Sequence, residues 1–169
     1  INKKIFETRP YGSIKIRNIN QVLDIYTKKI CYGYSWLYCY KKDFLINNNI
    51  SFEPNIFIGE DRLFTSFVFL NFPRISFFNH IFYTYTYDSN YLSQSKVINF
   101  LKNYFNNLKL MKKYNYLYEK YKTNFIKKKY LKMLIKETIN EMVNLSFLLD
   151  NKEIKKIPKV YLKNFYKKI

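Results

Sequence analysis

Alanine is absent from this 169-residue chain, and glycine occurs only three times. Collagen-like and Gly/Ser-linker compositions are therefore excluded. Cysteine is nearly as scarce: Cys31 and Cys39 stand alone, eight apart. Two cysteines give neither a disulfide framework nor a four-ligand zinc site, so reduced, partly buried thiols are expected. There is one histidine, His80, expected in a turn rather than in catalysis or metal binding. No apolar run approaches the roughly 20 residues needed to span a bilayer, and nothing resembles a signal peptide. The first residue is Ile1 rather than methionine, so the sequence is expected to be the later part of a longer protein.

Five residue types dominate what is present. Lys, Ile, Asn, Tyr and Phe make up 100 of the 169 residues, the joint excess expected from A/T-rich codons. Hydrophobic types at 48% suffice for a core and argue against wholesale disorder. The formal net charge is +18, and its placement is more informative than its size. Residues 1–95 carry a net +4 and residues 96–169 a net +14, joining a nearly balanced, aromatic-rich front to a basic tail.

Along the front, Phe6–Ser13 reads as a loop, and Ile19–Ile30 has helical spacing of Val22, Ile25 and Ile30. Gly33 marks a break, and a short helix is expected around Lys41–Asn48, ending in the run Asn47–Asn49. From Glu60, the pattern EDRLFTSFVFL sets Leu63, Phe64, Phe67 and Val68 on one broad helical face, with acids at the favourable end of the dipole. Asn71–Pro73 should stop it. Arg74–Phe78 and Ile81–Tyr87 are strand candidates, rich in β-branched and aromatic types. In the tail, Val97, Leu101, Tyr104, Leu108 and Met111 mark an amphipathic helix. Tyr114, Leu117, Tyr121 and Phe125 predict a second helix, and Leu131–Leu149 a third. Pro158 should separate the basic, aromatic terminus from what precedes it.

The adjacent carboxylates Glu60 and Asp61 can complement a helix N-terminus, join a metal site or supply a general base. Around them stand Trp36 with Lys41-Lys42-Asp43-Phe44-Leu45, then Asn48-Asn49-Ile50 and Phe52. Glu60-Asp61-Arg62-Leu63-Phe64, Arg74-Ile75, Tyr83 to Tyr87 and Ser93 to Ser95 follow in order. Over residues 10–95 this succession resembles the acceptor-side half of bacterial family 2-type glycosyltransferases, the GT-A enzymes that build surface polysaccharide and lipooligosaccharide.

The resemblance implies an α/β fold: residues 1–95 as the C-terminal, acceptor-side part of a GT-A domain, and residues 96–169 as a basic helical extension. It implies sugar transfer from a nucleotide-sugar donor to a hydroxyl of a saccharide or glycolipid acceptor, with inversion at the anomeric carbon. Asp61 would be the general base and Glu60 its supporting neighbour. A divalent metal, Mg or Mn, would stabilise the leaving diphosphate. The family's Asp-x-Asp element is missing here, so the metal ligands would lie outside this chain and the chain alone would be inactive. The absence of a Gln-x-x-Arg-Trp element points to transfer of one sugar at a time. Trp36 is read either as a core aromatic or as a ring stacking on an acceptor sugar. Arg62 is read as a salt-bridging residue, to Glu60 or Asp61, or as a contact to an acidic acceptor; Arg9 and Tyr11 join it on the acceptor side or serve only as loop residues. The implied location is cytoplasmic, peripheral on the inner face of the bacterial plasma membrane.

Lys127-Lys128-Lys129 and Lys167-Lys168, interleaved with Tyr and Phe, admit three readings. They form a solvated helical face, or attach the chain to an anionic membrane, or bind nucleic acid. The last has least support, because no zinc finger, recognition helix or single-strand-binding sheet motif accompanies the charge. The alternative to the transferase reading is thus a basic helical interaction module that binds an anionic membrane or nucleic acid without catalysis.

Overall fold

The computed structural model describes residues 20–21, 33–73, 75, 100–147 and 152. Among them every regular element is helical. A single 3₁₀ turn, Ser35–Leu37, precedes helices α1 (Lys42–Asn47), α2 (Glu60–Leu70), α3 (Phe100–Lys120) and α4 (Phe125–Ser146).

Local chemistry explains where these helices stop and start. At the end of α1, Asn49 adopts φ +51, a left-handed conformation that asparagine tolerates better than most residues. Asn49 N–H then donates to Ile46 O at 3.0 Å, and Ile50 N–H to Leu45 O at 2.9 Å. That pair of bonds, with Ile50 and Leu45 packed in one cluster, is a Schellman cap. Helix α2 begins after Gly59, whose φ of +79 suits glycine. A Cβ there would also come within 3.0 Å of the Leu110 side chain on α3. At its other end Phe72 takes φ +54 and donates N–H to Phe69 O at 3.1 Å. Pro73 has no N–H to complete a second capping bond, so the chain leaves the helix there. Asn124 opens α4 by accepting a bond from Lys127 N–H at 3.0 Å.

Helices α3 and α4 form an antiparallel pair joined by Tyr121–Asn124, and α2 lies against them. Leu63, Phe69 and Leu70 from α2 meet Leu110, Tyr114 and Leu117 from α3 and Tyr130, Leu131 and Leu134 from α4 in the main core. A second cluster, Tyr104, Leu108 and Met142, extends the α3–α4 contact away from the turn. On the far side of α2, Phe64 and Val68 pack with Ile50, and Phe52 stacks on Phe64 at 4.3 Å. Helix α2 is therefore buried on most of its surface, and its hydroxyls turn inward on their own backbone. Thr65 donates to Asp61 O at 2.9 Å, with Gly33 O at 3.4 Å as a second acceptor, and Ser66 donates to Leu63 O at 2.7 Å.

The short helix at Lys41–Asn48, the helix from Glu60 and its stop at Asn71–Pro73 appear as the sequence predicts. The two helices expected between Val97 and Phe125 are one: α3 runs unbroken through Tyr114 to Lys120, and Phe125 starts the next helix. Cys39 is exposed rather than partly buried. Cys31, His80, both strand candidates apart from Ile75, Pro158 and nearly all of Ile19–Ile30 lie outside the described residues.

The α/β expectation is corrected. There is no strand among the described residues, and those segments of the glycosyltransferase resemblance that lie among them, Trp36–Leu45, Asn48–Phe52 and Glu60–Phe64, are helical or irregular; Tyr83–Tyr87 and Ser93–Ser95 lie outside them. In a GT-A domain a helix like α2 would cover a sheet; here its buried face is filled by α3 and α4. The likeness to that family is one of local pattern and does not extend to the fold.

Candidate functional site

Two places in this fold concentrate polar chemistry: the N-terminus of α2 and the outer surface of the α3–α4 pair. At the first, the left-handed turn at Gly59 presents Glu60 and Asp61 in the first turn of α2. The Asp61 carboxylate accepts a hydrogen bond from the Ser35 hydroxyl, tying the 3₁₀ turn to the helix. Burial raises the Glu60 pKa above its usual value; its backbone hydrogen bond opposes this, and the Asp61 charge adds to it.

Arg62 reaches from α2 to α4. Its guanidinium grips Glu141 of α4 with two bonds, Nη1 to Oε1 at 2.5 Å and Nη2 to Oε2 at 2.9 Å. The Arg62 side chain is 14% exposed and that of Glu141 48%, so the pair bridges interior and surface. Gly33 allows this course, since a Cβ there would sit 3.1 Å from Arg62 Cγ. Tyr114 lies fully buried beside Arg62 and Ser66, without a hydrogen bond of good geometry. Burial pushes its phenol up to about 12, against the pull of the Arg62 charge.

Trp36 is half-buried and stacks on Tyr34 with ring centroids 5.2 Å apart. Tyr40 donates to Ser35 O at 3.1 Å, and burial, with the Asp61 charge, moves its pKa upward. Asp61, Glu60, Arg62 and Trp36 thus gather around one end of α2, whereas Arg9 and Tyr11 lie outside the described residues. Ser35 and Glu141 complete the cluster. Neither carries a local sequence signal, because they meet their partners 26 and 79 residues away.

At the second place, residues 100–147 hold eleven lysines and three glutamates. Eight of those lysines are exposed. The others run along aromatic rings as their heads reach the edge of the core. Lys127 Nζ lies 4.3 Å from the Tyr121 ring centre and 4.7 Å from that of Phe72, and Lys128 lies 5.3 Å from Tyr118. Lys113 pairs with Glu53 at 2.7 Å. A cleft of about 350 Å³ beside α3 is lined by Phe57, Leu101, Lys102, Phe105, Asn106 and Lys109.

Comparison with protein-family models, with curated proteins and with solved structures finds no match to this chain. The glycosyltransferase function is corrected with the fold. General-base transfer by Asp61 requires a donor site that places an anomeric carbon opposite it, and among the described residues the core around Asp61 is helical, with no sheet edge to hold one. The enzyme assignment, the role in lipooligosaccharide and polysaccharide synthesis, and the nucleotide-sugar donor and saccharide or glycolipid acceptor fall with it. So does the expected Mg or Mn, which depended on that architecture; among the described residues no three His, Cys, Asp or Glu side chains come together as ligands.

Proposed function

We propose that this chain is a non-catalytic helical interaction module that binds a polyanionic partner through the lysine-bearing outer surface of its α3–α4 pair. The observation that carries this reading is the separation of roles around each helix. Most apolar side chains of α3 and α4 face the core, while eight of eleven lysines face solvent against three glutamates, one of them held by Arg62. A surface with so strong an excess of one sign attracts an oppositely charged polymer or surface over a Debye length, and the attraction weakens with salt.

Because any chain of net charge +18 binds polyanions to some degree, the test compares equal charge removed from different places. Heparin serves as the probe. Lys109→Gln, Lys112→Gln, Lys129→Gln and Lys132→Gln together should lower the salt needed for elution more than four such changes at Lys155, Lys156, Lys167 and Lys168. Equal shifts from the two sets would refute a binding surface on the helical pair.

A further inference from the structure

Helix α4 presents an outer stripe whose composition points to one kind of polyanion. Phe125, Lys129, Lys132, Lys136 and Phe147 are all exposed and follow one another at spacings of four, three, four and eleven, so they share one face. Asn140 and Asn144 fill the longer interval and are exposed too. The opposite face carries Tyr130, Leu131, Leu134, Thr138 and Met142, all buried. The acids of α4 lie at its margin: Glu141 is turned to Arg62, and Glu137, partly exposed, shares the edge of Asn144. Phe125 and Phe147 are 77% and 81% exposed, the two highest values among the large hydrophobic side chains of the described residues.

Resting on the polyanion-binding reading, we infer that this stripe of α4 lies flat on an anionic lipid surface, its lysines among the headgroups and its two terminal phenylalanines entering the interface. The geometry separates this partner from nucleic acid. Phe125 and Phe147 stand at opposite ends of a helix about 33 Å long. Rings that stack on bases serve neighbouring nucleotides, so two rings so far apart make no stacking platform. The stripe also lacks arginine, whose planar fork reads phosphate and guanine with two bonds. Lysines along one face of a helix suit a diffuse negative plane, and aromatic rings at both ends anchor a helix parallel to it.

The test uses the full chain with phosphatidylcholine vesicles, with and without phosphatidylglycerol, and with poly-uridylate and heparin beside them. Co-sedimentation should require phosphatidylglycerol and be reversed by high salt. Lys129→Gln, Lys132→Gln and Lys136→Gln together should weaken it about a hundredfold. Phe125→Ser with Phe147→Ser should weaken it about tenfold while leaving heparin binding unchanged. All five positions are exposed, and unchanged far-ultraviolet circular dichroism confirms that the variants fold. Binding to poly-uridylate and heparin, but no better to anionic than to neutral vesicles, would overturn the lipid inference and leave the polyanion reading standing. Failure to bind any of the three overturns both. Vesicle binding that ignores the stripe variants would refute the assignment to this face of α4.

Discussion

Replacing Arg62 by methionine removes the two-pronged bond to Glu141 while keeping most of the side chain's apolar length. The guanidinium is largely enclosed, and its partner is nearly half exposed. A fully exposed pair is worth about 0–1 kcal/mol, whereas a hydrogen bond to a charged group in a protected setting contributes about 1.5–3 kcal/mol. Two bonds at 2.5 and 2.9 Å with one wet partner should fall between, at about 1–2 kcal/mol. Glu141→Gln should cost a similar amount, because it removes the carboxylate charge that the enclosed Arg62 guanidinium grips. The double variant should lose less than the sum of the single losses, with a coupling of about 1 kcal/mol. Urea unfolding of the four proteins measures this directly, and slopes shared among them would license the comparison. Additive losses, or a coupling indistinguishable from zero, would show that the pair does not hold α2 to α4.

Leu134 is wholly buried in the main core, so Leu134→Ala should destabilise by about 2–5 kcal/mol in the same urea assay. At Gly59, alanine must adopt φ +79 and press on the Leu110 side chain; Gly59→Ala should therefore cost at least about 1 kcal/mol, and a companion Leu110→Val should recover part of any steric loss. For Glu60, the raised pKa means that the folded state holds its proton more tightly than the unfolded chain does. Its stabilising contribution is present below the ordinary value of 4.5 and is lost as pH rises through the higher folded value. Glu60→Gln should therefore gain on the native protein as pH rises through that window, then hold a constant difference. A stability difference independent of pH would count against a raised Glu60.

Much of the helical layout was legible because it is written in short-range terms. The Asn47–Asn49 run, the acids ahead of Leu63 and the Asn71–Pro73 stop each specify their own few residues of backbone. The single length of α3 was less legible, since the apolar spacing can be read as restarting at Tyr114 while no glycine or proline interrupts the backbone there. Long-range partners were out of reach: nothing near Arg62 names Glu141, and nothing near Asp61 names Ser35. The glycosyltransferase resemblance misled for a related reason. Acids followed by Leu-Phe are what a glycosyltransferase's acceptor side carries, but they are equally what any helix wants when it begins at solvent and continues into a core. Asp61 and Glu60 meet the positive end of the dipole, Leu63 and Phe64 enter the interior, and Gly59 permits the entry turn. Those demands account for Gly59–Phe64 without any substrate. What they leave over is the lysine surface of α3 and α4. The core needs one face of each helix, and codon bias enriches lysine without choosing a face; their exclusion from the buried side concentrates charge on the outer one, where an anionic partner can meet it.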